Sequence, residues 1–124
     1  MKYIPEEKTI GGKRYLGTFE GIAAEFKKAT RNGRLYNLRL WRNVEKDPDF
    51  KEAMDTLTCL GETDHPDERL ETKIKEVAIV MTKFEIREQK GVVWCSFDIL
   101  DTPNGRILKA LLDYGCKIGV SSRG

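Results

Sequence analysis

The stretch VAIVMTKFEIREQKGVVWCSFDIL, residues 77–100, decides the fold class. Val77, Ile79 and Met81 alternate, and Phe84 and Ile86 resume the alternation in the opposite phase. A period of two marks a strand with one buried face, and a change of phase within it places a bulge near Thr82 and Lys83. Val93, Cys95, Phe97 and Ile99 make a second alternating set, with Trp94, Ser96 and Asp98 on the other face. The intervening EQKG is a turn, so the stretch predicts an antiparallel hairpin.

Helices flank this hairpin on both sides in the chain. After it, Thr102 is a cap with Pro103 at the first helical position, Ile107, Leu108, Leu111 and Leu112 supply an apolar side, and Gly115 is the terminator. Before it, Asp47 caps a helix that begins at Pro48, carries Phe50, Ala53, Met54 and Leu57 at helical spacing, and is expected to end at Gly61. A shorter helix capped by Asn37 carries Leu38, Leu40, Trp41 and Val44. RYLGTFEGIAAEF, residues 14–26, reads as one or two strands running to a turn at Asn32-Gly33. GETDHPDERL, residues 61–70, is too polar and acidic to bury and reads as a loop. CKIGVSS, residues 116–122, reads as a final strand. The order is a β start, two helices, a hairpin, a helix and a strand, an α+β domain of mostly antiparallel pairing.

Composition narrows the class. The 124 residues are one domain's worth, with 40% hydrophobic and 34% charged residues. The 22 basic and 20 acidic residues nearly cancel, which argues against nucleic acid as a partner. Three cysteines, Cys59, Cys95 and Cys116, show neither a disulfide framework nor zinc spacing and fit a reducing compartment. Cys59, at an expected helix end, is the one placed to react. The amino terminus lacks the apolar run of a signal peptide, and no window approaches a membrane span.

Chemistry points to GVSSRG, residues 119–124. In a strand Ile118 and Val120 share the core side, which puts Ser121 on the other face beside the bare backbone of Gly119, and turns Ser122 coreward. A serine nucleophile needs a base, and the chain has one histidine, His65, within an acidic loop. Each residue also has a plainer reading: Ser121 as a strand-end cap, His65 as a solvated loop residue, Arg123 as a surface charge. Glu62, Asp64, His65 and Asp67 together offer a third reading, a metal-dependent hydrolase, although the usual ligand spacings are absent.

Four stretches in series resemble a known family: RNGRLYN (31–37), GETDHPDE (61–68), ILDTPNGRILKALLDYG (99–115) and KIGVSSRG (117–124). They look like the prohead core protease of tailed bacteriophages, a serine protease of capsid maturation that is similar in fold to the herpesvirus protease assemblin. The resemblance implies a small antiparallel β-barrel or sheet flanked by helices, spanning residues 1–124 as a single protease domain whose part beyond the nucleophile strand is absent. It places the catalytic histidine at His65 and the nucleophile at Ser121. Asp98 is the candidate third member, with Glu20, Glu76 and Asp64 as alternatives, and Ser122 and Arg123 are candidates for oxyanion or substrate contact. No cofactor is implied. The implied substrates are scaffold or core proteins, the major capsid protein and the protease itself, inside the prohead in the host cytoplasm. A catalytically silent core module that binds scaffold is the alternative. The terminal strand's edge could pair with a second copy. Thr63 departs from the family pattern, where a larger apolar residue is usual.

Overall fold

A computed structural model describes residues 1–26, 38–62 and 76–119. Six strands form one antiparallel sheet: β1 (Lys2–Ile4), β2 (Lys8–Ile10), β3 (Lys13–Glu25), β4 (Leu60–Glu62), β5 (Val77–Arg87) and β6 (Val92–Leu100). Three helices accompany them: α1 (Leu38–Lys46), α2 (Pro48–Asp55) and α3 (Pro103–Tyr114). The sheet runs β1-β3-β6-β5-β4, with β2 paired to β3 beside β1. This is the α+β, mostly antiparallel architecture that the hairpin announced.

β6 is central because both its neighbours are long and both its edges are filled. Its alternating set Val93, Cys95, Phe97 and Ile99 is buried. These four pack with Phe19 of β3, Ile79 of β5, Trp41 of α1 and Leu108 and Leu112 of α3 in one core cluster. Helices α1 and α3 therefore contribute to the same side of the sheet, leaving Trp94, Ser96 and Asp98 on the opposite side. The expected bulge is present as a register shift between Met81 and Lys83, and Gly91, at φ 69°, closes the hairpin by donating to the Glu88 carbonyl at 3.1 Å.

The helix ends follow local chemistry. The Asp47 carboxylate accepts from the Asp49 amide at 2.8 Å, with Pro48 next to the cap. Thr102 does two tasks: its hydroxyl accepts from the Gly105 amide at 3.0 Å and donates to the Val77 carbonyl at 2.6 Å, fastening α3 to β5. Gly115 ends α3 in the left-handed region at φ 106°.

Several expectations are corrected. Gly61 does not end α2, which stops at Thr56; Gly61 lies in β4, where a Cβ would stand 2.6 Å from Cγ1 of Ile79. Gly61 and Glu62 are thus strand, not loop, because pairing with β5 satisfies their backbone. Cys116–Gly119 join no strand, although Ile118 does pack against the core. Of the four apolar side chains expected to be buried on α3, only Leu108 and Leu112 are; Ile107 and Leu111 are 56% and 43% exposed, since the sheet covers a narrower stripe than the four span. β1 and β2 escaped the sequence reading. Their signal was Gly11-Gly12, a two-residue hairpin turn with both φ values positive. The Asn32-Gly33 turn and the Asn37 cap lie outside the described residues. No described helix is long and apolar enough to cross a membrane.

Candidate active site

Of the residues singled out for chemistry, His65, Ser121, Ser122 and Arg123 lie outside the described residues, as do Asp64 and Asp67. Asp98, Glu20, Glu62 and Glu76 are described, and their placement separates them.

Asp98 sits in the middle of the sheet, with Thr18 of β3 and Val80 of β5 as its cross-strand partners. Its face carries Ser96 and Trp94 along β6, Thr18 and Glu20 on β3, and Val80 and Lys83 on β5. Burial pushes the Asp98 carboxyl above its ordinary value, while the nearby Lys8 and Lys83 ammonium groups pull the other way. Among the described residues its side chain has no hydrogen-bond partner. A half-buried carboxylate in the middle of a sheet, with its acceptor capacity unspent, is suited to receive an N–H donor.

The alternative acids are differently employed. Glu20 accepts from the hydroxyl of buried Ser96 at 3.2 Å. Glu76 is held by Asn104 of α3, whose side-chain amide donates to the Glu76 carboxylate and carbonyl, each at 3.0 Å. Glu62 ends β4, opposite Val77. Glu62 and Glu76 bracket the segment that contains His65. Their attachment at Val77 lies three residues along β5 from Val80, the partner of Asp98, or roughly 10 Å at strand rise. The carboxylate on the central strand and the described ends of the histidine segment are thus about three residues apart along β5.

Gly119 is the last described residue before the candidate serine in the chain. It is exposed, and an added Cβ there would meet nothing within 4 Å. With Ile118 packed against the core, the main chain at Gly119 is open to approach, although no strand forms there. Among the described residues no group of three or more potential metal ligands comes together.

The structure adds two residues that sequence reasoning passed over. Ser96, buried beside Asp98, donates to Glu20 and also receives the Thr82 hydroxyl at its carbonyl, 3.3 Å away, where the bulge turns β5. Lys83, just past that bulge, faces Asp98 electrostatically. Alternation puts Ser96 with Asp98 and the hairpin carries Lys83 to the same face, but the pairing with β3 that brings Glu20 beside them has no local signal. Cys59 is corrected: burial raises its thiol pKa, and Cys95 is pushed up to about 12, so neither is set up as a thiolate.

Comparison with known proteins bears on the family and the fold. The family model described as "Prohead core protein serine protease" matches residues 3–124. The structure of the bacteriophage T4 capsid assembly protease, gp21, superimposes with a TM-score of 0.78 at 24% sequence identity, covering 94% of this chain and 69% of that one. No curated protein matches.

Proposed function

Because the chain belongs to the family of prohead core protein serine proteases, we propose that it is an endopeptidase of head maturation that works through Ser121, His65 and Asp98. The observation that carries the reading is the family match over residues 3–124, which includes all three positions. What the described structure contributes is Asp98, the one candidate acid that is central, half-buried and unpartnered among the described residues.

In this mechanism the Ser121 hydroxyl oxygen attacks the scissile carbonyl carbon while His65 takes the hydroxyl proton. The tetrahedral oxyanion is stabilised by backbone N–H groups near Ser121 and Ser122, with Arg123 beside them, one good donor being worth roughly 3 kcal/mol. His65 then protonates the leaving amine, and the C–N bond breaks to give an acyl-enzyme. Water, deprotonated by His65, attacks the ester carbon, and the proton returns to the Ser121 oxygen as the acid product leaves. Asp98 accepts a hydrogen bond from the second imidazole nitrogen, fixing its tautomer and stabilising the imidazolium. Burial gives that hydrogen bond weight, because water competes less for the carboxylate.

Scaffold or core protein, capsid subunits and the protease itself are the substrates this reading assigns, within the prohead. Residues 1–124 act as one protease unit. Incubation with a fluorophosphonate should add one phosphonyl group to wild type and to Ser122→Ala, and none to Ser121→Ala or His65→Ala, as read by intact mass. Labelling of Ser122 in place of Ser121 would move the nucleophile. A folded chain that is neither labelled nor able to cut a scaffold precursor would instead be a silent core module.

A further inference from the structure

β4 pairs with β5 only as far as Leu60 opposite Val80, with one more bond from the Met81 amide to the Cys59 carbonyl at 2.8 Å. From Thr82 to Arg87, β5 continues for six residues with β6 on one side and, among the described residues, no strand on the other. Alternate residues of such a segment turn their backbone N–H and C=O groups outward. α2 runs alongside this edge. Between them lies a groove of about 590 Å³. Phe50, Met54, Phe84 and Trp94 give it apolar walls, with Phe50 packed edge-on against Phe84 at 4.9 Å.

The charges at the groove are uneven. Glu85 is paired with Arg87 at 2.9 Å and Glu45 with Arg42 at 3.1 Å. Lys51 and Lys83 line the groove and form no ion pair among the described residues, with Asp55 as the one unpaired carboxylate. An edge strand beside a helix, with an apolar trough and surplus cationic charge, has the elements of β-strand addition: backbone bonds supply affinity, and alternate side chains supply selectivity.

We propose that the outer edge of β5 at Thr82–Arg87 and the facing side of α2 bind an extended polypeptide segment as an added strand. The segment carries an apolar side chain for the Phe50–Met54–Phe84 trough and a carboxylate for Lys51 and Lys83. Lys83, at the rim of the groove, lies on the same sheet face as Asp98. That the occupant is substrate rests on the peptidase reading; that a peptide binds there does not.

The test uses the full chain carrying Ser121→Ala, so that binding is read without cleavage. The probe is a fluorescein-labelled, capped octapeptide of alternating valine and glutamate, followed by anisotropy. Saturable binding is expected. It should weaken about tenfold or more when alternate peptide amides are N-methylated, and by a similar factor in Lys51→Glu/Lys83→Glu, with Lys2→Glu/Lys13→Glu as the charge-matched control. Amide exchange at Thr82–Arg87 should slow on binding. Equal affinity for the N-methylated peptide, an equal loss in the control variant, or unchanged exchange at that edge would overturn the proposal. So would a dimer whose Thr82–Arg87 amides are already protected without peptide, since a second copy would then occupy the edge. Wild type that binds this peptide but takes no phosphonyl label would sink the peptidase reading and leave the groove standing.

Discussion

Asp98 is placed where charge is costly. Its carboxyl is raised by burial, so the folded chain holds its proton more tightly than the unfolded chain does. Below the ordinary aspartate value both states are protonated and the residue is neutral for stability. As pH rises through the raised value the folded state must ionise a half-buried group, and stability falls. Asp98→Asn should therefore raise the melting temperature at pH 7, with the gain vanishing at acid pH, as scanning calorimetry across that range would show. The same substitution should lower kcat by about 10³–10⁴ on a peptide substrate, because an amide cannot stabilise the imidazolium. Glu20→Gln should cost far less, its carboxylate being engaged by Ser96. Gain of stability with loss of activity is the pattern of a functional residue; loss of both would make Asp98 structural.

At the scale of one element, α3 is fixed at its start. Thr102 caps it and binds the Val77 carbonyl, Asn104 holds Glu76, and Gly105 lies against the end of β6. A Cβ on Gly105 would collide with the Leu100 carbonyl oxygen. That carbonyl is backbone and cannot swing aside, so Gly105→Ala must move the helix off the sheet. Its cost should exceed about 3 kcal/mol in urea unfolding, whereas Ile107→Ala, two residues on and exposed, should stay within about 0.5 kcal/mol. Equal costs would mean that α3 is not seated as described. Since α3 also anchors Glu76, at the end of the histidine segment, Gly105→Ala should reduce activity beyond its effect on the folded fraction.

Across the whole molecule, the first strand and the last helix are clasped together. The Tyr3 hydroxyl donates to Asp113 at 2.6 Å, and Lys109 donates to both, at 3.3 Å to Tyr3 and 2.9 Å to Asp113. These bonds hold the Asp113 carboxyl below its usual range; beside the cap, Arg106 does the same for Asp101. Asp113 is exposed and Asp101 partly so, and salt screens both. A lowered carboxylate gives stability that is present above the unfolded value, near pH 4, and lost as pH falls through the lowered one. The acid limb of stability should hence belong to Asp101 and Asp113, opposite in sign to Asp98. Asp113→Asn should flatten that limb below about pH 4 and leave the Asp98 effect untouched; melting curves from pH 2 to 7 would separate them.

Periodicity and end signals alone determined much of this protein. The β5–β6 hairpin with its bulge, the caps Asp47 and Thr102 and the stop at Gly115 all follow from side-chain alternation and from backbone groups that need a partner within a few residues. Such signals are local, and so is the serine and histidine pattern that pointed to the family. Other features were decided only in three dimensions. Gly61 looked like a helix stop and proved to be a strand residue because Ile79 crowds it from β5. Ile107 and Leu111 looked like core and proved exposed because the sheet offers α3 a stripe only wide enough for Leu108 and Leu112. Asp98 could be assigned a face from its strand and Val80 and Lys83 belong to its own hairpin, but its partner Thr18 and the neighbouring Ser96–Glu20 bond come from the register against β3, distant in sequence. Register is set by how many residues each strand spends between its bulges and turns, a sum over the whole sheet to which no short stretch holds the answer.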